Sequence, residues 1–409
     1  MASATHTCRS CGSASLDSIL DLGVTPLADG MRRDDQLSKP EPTFPLEVVF
    51  CHDCSLMQID ETVDPELLFA ADYPYFSSFS RYLLEHSKKN VEELIEARGL
   101  GAGSFVIELA SNDGYLLKNY VDHGIPVLGI DPVEGVAKAA EKIGVPTRVA
   151  FFGATVGREL AEEGKRADVV HANNVLAHVA DTNGFVAGLH HILKDDGVGV
   201  IEFPYVRDLI DHVEFDTIYH EHLCYFSVTA VDKLLRRHDL YLNDVKWLPI
   251  HGGSLRLFVQ RFEDVGDNVK RMLAEEKEHG VDRLEYYRDF SERVQYLRES
   301  LLGLLKALKA GGKTIAAYGA AAKGSTLINY VGIGPDLIDW VCDRNVHKQG
   351  LYMPGQDVPI VSPDAIREKK PDYLLLLPWN LETEIVAQEK EFRDAGGRFI
   401  IPVPAPRIV

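Results

Sequence analysis

Four apolar runs, "SFVIELA", "IPVLGID", "ADVVHANNVLAHV" and "DGVGVIEFP", recur through the middle of the chain. Helical stretches such as "GYLLKNYVDHG" and "PVEGVAKAAEKIG" lie between them. Short runs that are apolar throughout are buried on both faces, as parallel strands are. Parallel strands need a crossover, and the helical stretches supply it. The chain is therefore committed to an α/β fold. Next comes "LYLNDVKWLPIHGGSLRLFVQR", two strands joined by a turn around Gly252–Gly253. The segment 73–262 thus reads as five βα steps followed by a β-hairpin.

The flanks differ from this centre. Of the six cysteines, Cys224 and Cys342 are isolated, and the others form two C-x-x-C pairs, Cys8/Cys11 and Cys51/Cys54. Neither pair opens a thioredoxin-like βαβ unit. Paired knuckles of this kind read as metal ligands, and four thiolates suit one tetrahedral Zn²⁺. With every position taken by sulfur, the zinc is structural, and residues 1–72 form a small zinc-binding domain. Residues 263–310 are charged and helical and read as a linker with a solvated face. Residues 311–409 begin a second α/β run with "KTIAAYGAAAKGSTLINYVG" and continue through "LIDWVCDRN", "PDYLLLLPWN" and "RFIIPVP". The fold class is α/β: a Rossmann-like domain between a zinc-binding domain and a C-terminal Rossmann-like domain. The formal net charge of -19 makes nucleic acid a poor partner. No run of about 18 apolar residues is present, so no membrane span is expected. The start lacks signal-peptide blocks, so the expected location is cytoplasmic. A monomer is the expected state.

Polar residues collect where strands end. Glu108 closes "VIEL", Gly114 stands at the following turn, Asp131 ends "LGID", and Asn173 and Asn174 end the next strand. Ligands of open α/β sheets bind at the carboxyl ends of strands, and an acid such as Asp131 suits ribose hydroxyls. A G-x-G-x-x-G phosphate loop is missing, which favours a nucleoside without phosphates, S-adenosylmethionine rather than NAD. Gly114 lets a ligand approach the backbone.

The stretch "YHEHLCYFS" packs Tyr219, His220, Glu221 and His222 together after the fifth strand. An imidazole accepts protons at neutral pH, a carboxylate such as Glu221 can orient it, and a tyrosine can steady an oxyanion. A metal site is the rival reading, but His220 and His222 supply only two ligands and H-E-x-x-H is not met. His178 can enter the same cleft, and Tyr73 and Tyr75 are candidate substrate contacts. In the C-terminal segment, "YGAAAKGSTLINY" resembles a phosphate loop and carries Lys323 and Asn329. Arg344, Lys348 and Trp379 are further candidates for holding a nucleoside diphosphate, the tryptophan by stacking on the base. A helper domain without a ligand is the alternative.

Taken together, the C-x-x-C pairs, "ELASNDG", "YHEHLCYFS", "GGSLR", "YGAAAKGSTLINY" and "LPWN" resemble one family across nearly the whole chain. It is the S-adenosylmethionine-dependent sugar C-methyltransferases of antibiotic deoxysugar pathways, which act on thymidine diphosphate sugars. The resemblance implies His222 as base, with Tyr219, Glu221, His178 and Tyr73 around the sugar. It implies methylation at carbon 3 of a dTDP-4-keto-deoxysugar, first dTDP-3-amino-2,3,6-trideoxy-4-keto-D-glucose, with a 3-hydroxy sugar or carbon 5 as alternatives. A ketone acidifies the neighbouring C–H, so removing that proton makes the carbon nucleophilic. Rival readings are a nucleotide-sugar-binding protein without catalysis and an NAD-dependent epimerase or dehydratase.

Overall fold

The computed structural model describes residues 3–4, 6–68 and 77–409. Tyr73 and Tyr75 lie outside the described residues. In the N-terminal segment, β1 (Leu16–Pro26), β2 (Thr43–Cys51) and β3 (Met57–Ile59) form an antiparallel sheet. Both cysteine knuckles are tight turns. The Cys8 carbonyl accepts from the Gly12 N–H and the Cys51 carbonyl from the Ser55 N–H, each at 2.8 Å.

Helix α1 (Arg81–Arg98) opens the central unit. The Ser80 hydroxyl caps it by accepting from the Leu83 N–H at 3.2 Å, and left-handed Gly99 ends it. Leu83, Ser87, Asn90, Val91 and Leu94 recur at helical spacing and are its buried face. Next come β4 (Val106–Leu109), β5 (Val127–Asp131), β6 (Thr147–Val149), β7 (Ala167–Asn173) and β8 (Leu193–Pro204). Then follow β9 (Cys224–Tyr225), β10 (Tyr241–Leu248) and β11 (Ser254–Gln260). The central sheet has the order β10-β11-β8-β7-β4-β5-β6, with β4 to β8 parallel and the hairpin antiparallel. The order reverses between β4 and β7, where such sheets open a crevice.

Strand β9 departs from the segment boundaries read from the sequence. It pairs with β3, Cys224 opposite Gln58 and Tyr225 opposite Met57, and completes the N-terminal sheet as its fourth strand. The expected linker also does more than link. Helices α2 (Asp267–His279) and α3 (Phe290–Ala310) bury Val269, Met272, Phe290, Val294, Leu297, Leu301 and Leu305. One charge on α2 is not solvated: buried Glu276 accepts from the Tyr205 hydroxyl and from the N–H groups of Val228 and Thr229.

The C-terminal unit is built from β12 (Ile315–Tyr318), α4 (Ala322–Val331), β13 (Val341–Cys342), β14 (Ile360–Val361), β15 (Tyr373–Leu376), β16 (Arg398–Ile401) and β17 (Arg407–Ile408). Its order, β14-β13-β12-β15-β16-β17, is that of a doubly wound sheet, so two Rossmann-like units are present. One apolar cluster runs from Leu20 and Phe50 through Phe215 and Tyr287 to Leu301, Leu327 and Leu377, across all segments. Among the described residues no helix is long and apolar enough to cross a membrane.

Candidate active site

The crevice of the central sheet is lined with acids. Glu108, Asp113 and Asp131 are all buried there. Burial and then the charges of Asp131 and Asp113 raise the Glu108 pKa well above its ordinary value. Burial also raises that of Asp131. Asp131 accepts from the Asn112 and Val133 N–H groups, each at 2.9 Å, which fixes the loop after β4. That loop has Ala110 and Asn112 at φ 55° and 47°, left-handed values that non-glycine residues hold at a cost. Glu108 Oε2, Ser111 Oγ, Asp113 Oδ1 and Asn173 Oδ1 are buried without a hydrogen-bond partner among the described residues. Buried polar atoms left this way mark where a ligand or water makes up the bonds.

Above the crevice, residues 219–222 form a turn closed by the His222 N–H to the Tyr219 carbonyl at 2.8 Å. The His222 Nδ1 is 2.7 Å from the Thr217 carbonyl, which can only accept, so Nδ1 carries the proton. Nε2 is then a free base in the neutral ring, and it accepts from the Tyr219 hydroxyl at 2.7 Å. His178, on the turn after β7, meets the same ring edge-on, with centroids 4.7 Å apart. Burial and then His178 hold the His222 pKa well below 6.5, and burial lowers His178 to about 4. Both imidazoles are neutral at physiological pH. His220 points away, its Nε2 3.0 Å from the Pro45 carbonyl of β2, so the two histidines of the motif do not share a ligand.

The C-terminal unit closes the other side. Trp379 donates its indole N–H to Asp216 Oδ2 at 2.7 Å, and the Lys323 ammonium lies 4.4 Å from the Trp379 ring centroid. Burial raises Asp216 to about 6. His251 occupies the hairpin turn at φ 58°, followed by Gly252 and Gly253. A Cβ on either glycine would collide with the carboxylates of Glu214 or Asp208. Burial lowers His251 to about 4, with the charge of Lys323 adding to the fall and that of Glu202 opposing it. Glu202 is itself bonded to His86 and Arg256 below the crevice.

With this geometry in place, likeness to known proteins decides the family. Residues 8–69 match a family described as a putative zinc binding domain, 79–245 a methyltransferase domain, and 249–404 a C-methyltransferase C-terminal domain. The C-methyltransferase NovU of Streptomyces niveus is 38% identical over 405 residues, 98% of this chain and 96% of NovU. The chain belongs to the C-methyltransferase family. Among solved structures, the PH0226 protein of Pyrococcus horikoshii OT3 is 16% identical, with TM-score 0.37 over 46% of this chain and 94% of that one. Magnesium protoporphyrin IX methyltransferase (ChlM) from Synechocystis PCC 6803, solved with bound SAM, is 15% identical, with TM-score 0.34 over 44% of this chain and 79% of that one.

The methyltransferase takes S-adenosylmethionine as cofactor and zinc as structural metal, and its residues fit both. A crevice of buried acids draws hydroxyls and positive charge and repels phosphates, which suits a sulfonium nucleoside. Glu108, Asp131 and Asn173 are the buried polar residues that would hold it. The four cysteine sulfurs lie within 4.8 Å of one another, with Cys8–Cys54 at 3.4 Å and Cys11–Cys51 at 3.5 Å. Sulfurs around a tetrahedral Zn²⁺ sit about 3.8 Å apart at ordinary Zn–S lengths, so the cluster is already the right size.

Several residues read from the sequence of the methyltransferase are used otherwise. The partner of His222 Nδ1 is the Thr217 carbonyl. The Cβ missing from Gly114 makes room for Val145 and Ala140, not for a ligand. Asn174, at φ 52°, gives its N–H to the Glu202 carbonyl at 2.8 Å and so bends the chain out of β7. Lys348 donates to Asp29 at 3.1 Å and to the Ala320 carbonyl at 2.7 Å, tying the zinc-binding domain to the loop after β12. Asn329 donates to the Ser325 and Pro354 carbonyls and braces the loop at 354–356. Arg344 is exposed and donates to Gln388 at 3.3 Å. The Trp379 ring faces a lysine rather than offering that face to a base. Sequence reasoning passed over Asp216 and His251; a histidine followed by two glycines was the one local signal for the latter.

Proposed function

We propose that this methyltransferase methylates carbon 3 of a dTDP-linked 4-keto-deoxysugar in antibiotic deoxysugar biosynthesis. The first candidate is dTDP-3-amino-2,3,6-trideoxy-4-keto-D-glucose. The observation that carries the reading is His222: a neutral imidazole whose Nδ1 proton is fixed by Thr217 and whose Nε2 lone pair faces a tyrosine hydroxyl. A base of this kind can take the proton from a carbon next to a carbonyl. The C–H electron pair becomes the enolate double bond and the carbonyl pair moves to oxygen. When bound, S-adenosylmethionine supplies the methyl group as an electrophile. The chain's task is to hold both reactants in line and keep water out. His178 and Tyr219 pack on the base and keep its ring in place.

The test is hydrogen exchange. The protein with S-adenosylhomocysteine and dTDP-3-amino-2,3,6-trideoxy-4-keto-D-glucose in D₂O should exchange the carbon-3 hydrogen, read by NMR. His222→Asn should abolish exchange and methyl transfer while binding S-adenosylhomocysteine as before. Full activity in that variant removes His222 from the base role, and exchange at carbon 5 moves the methylated position there.

A further inference from the structure

Lys323 sits in the first turn of α4, one turn ahead of Thr326, whose hydroxyl donates to the Ile218 carbonyl at 3.0 Å. That helix face therefore lies along the segment leading into the 219–222 turn. The Lys323 Nζ is buried and has no hydrogen-bond partner among the described residues. Below it is the face of Trp379. Asp216, fully buried, is held by the Trp379 N–H through one oxygen, while its other oxygen has no partner among the described residues. A desolvated ammonium without an acceptor is costly, and the missing bond is one that a ligand oxygen completes.

Two features decide which oxygen. Burial lowers the Lys323 pKa and the charges of Asp216 and Glu214 oppose that fall, so two acids already face the ammonium and the local charge is no match for a diphosphate. Trp379 under the ammonium bonds Asp216, and Thr326 on the same helix bonds the Ile218 carbonyl one residue before Tyr219, which puts Lys323 beside the 219–222 turn. The Tyr219 hydroxyl rests on His222 Nε2 at 2.7 Å and has to leave that lone pair before the base can act. We propose that Lys323 is a catalytic residue that hydrogen-bonds the keto oxygen of the sugar and carries the negative charge of the enolate. This rests on the keto-sugar reading above. The Tyr219 hydroxyl releases His222 Nε2, the carbon-bound proton passes to that lone pair, the C–H pair forms the carbon–carbon double bond, and the carbonyl π pair goes to the oxygen. Lys323 remains an ammonium throughout and gives that oxygen a hydrogen bond that strengthens as charge develops.

The variants are Lys323→Met and the charge-balanced double variant Asp216→Asn with Lys323→Met, which removes the Asp216 charge together with that of the lysine. Each is assayed with dTDP-3-amino-2,3,6-trideoxy-4-keto-D-glucose for carbon-3 exchange, kcat and KM, and for S-adenosylhomocysteine Kd. Loss of one oxyanion donor should lower exchange and kcat about 100- to 1000-fold in both variants. The KM for the sugar nucleotide and the cofactor Kd should stay within about threefold, and Lys323→Arg should regain part of kcat. A raised KM with intact kcat makes Lys323 a phosphate anchor and overturns the proposal, as does a folded double variant that exchanges at the wild-type rate. Wild-type protein that exchanges no hydrogen of the sugar defeats the keto-sugar reading and this role together. Wild-type exchange that survives Lys323→Met defeats the lysine alone.

Discussion

The segment 216–225 is held from two sides by two different kinds of contact. The zinc-binding domain holds it by main chain. Strand β9 pairs with β3, the Leu223 carbonyl accepts from the Ile59 N–H at 3.1 Å, and His220 reaches the Pro45 carbonyl. The C-terminal unit holds it by side chains, through Trp379 on Asp216 and Thr326 on the Ile218 carbonyl. Backbone pairing tolerates changes of side chain but needs the whole sheet to exist. Side-chain contacts fail one at a time. The zinc-binding domain therefore supports one grip on this segment, while the C-terminal residues can be tuned singly.

Removing the metal is the strongest way to break the comparison. Small zinc domains owe on the order of 10 kcal/mol of folding free energy to their metal. Chelation, or Cys51→Ser, should unfold the N-terminal sheet, release β9 and abolish carbon-3 exchange. S-adenosylhomocysteine binding by calorimetry should persist, because Glu108 and Asp131 belong to the central sheet. Metal-free protein that still exchanges at full rate would show that the side-chain grip suffices.

Acid should act next, and on the interior of the site. His178 and His251 have folded-state pKa values of about 4 against 6.5 for an ordinary imidazole. The unfolded chain binds these protons first, so stability falls as pH drops from about 6.5 to about 4 and is fully present above that window. The loss should be roughly 1–3 kcal/mol for each histidine, allowing for partial solvent screening. Urea melts at pH 7 and pH 4.5 measure it. Because the His222 pKa is also depressed, kcat/KM should change little between pH 7.5 and 6.5. A steep fall there would mean that the base is less buried than the contacts describe.

The smallest expected effect is at Lys348, which joins the two gripping domains directly. Burial would lower its pKa, yet Asp29 and Asp343 outweigh that and raise it. Lys348→Met should cost about 2–4 kcal/mol of stability, near the value for breaking a buried pair. Methyl transfer should fall less than about threefold at temperatures where the variant is folded. A large rise in KM for the sugar nucleotide instead would return Lys348 to the substrate site.

The central sheet was readable because each strand announces itself locally: "VIEL", "VLGID" and "ADVVHAN" are apolar runs of strand length, and Asp131 and Asn173 mark their ends. The zinc site was readable for a similar reason, since a C-x-x-C knuckle brings two ligands together within one turn and needs only one other such turn. The density of "YHEH" singled out the turn at 219–222, where Tyr219 and His222 are bonded. Its internal wiring was hidden. A carbonyl such as that of Thr217 is present at every position, so no sequence marks it as the orienter of His222. Lys348, Asn329 and Arg344 look like ligands for an anion because lysine, asparagine and arginine look so anywhere. Their actual partners, Asp29, Pro354 and Gln388, are far away along the chain or arbitrary in type.

By itself, then, the order of residues determined which stretches become strands and helices, which four sulfurs can share a metal, and which short segment gathers two histidines, a tyrosine and a glutamate. All of these depend on periodicity or on neighbours a few residues apart. Tertiary structure alone decided that β9 leaves the central unit for the N-terminal sheet and that Lys323, Asp216 and Trp379 gather beside the segment leading into the 219–222 turn. Those contacts join positions more than a hundred residues apart, and their free energy exists only once the intervening chain has packed into a single core.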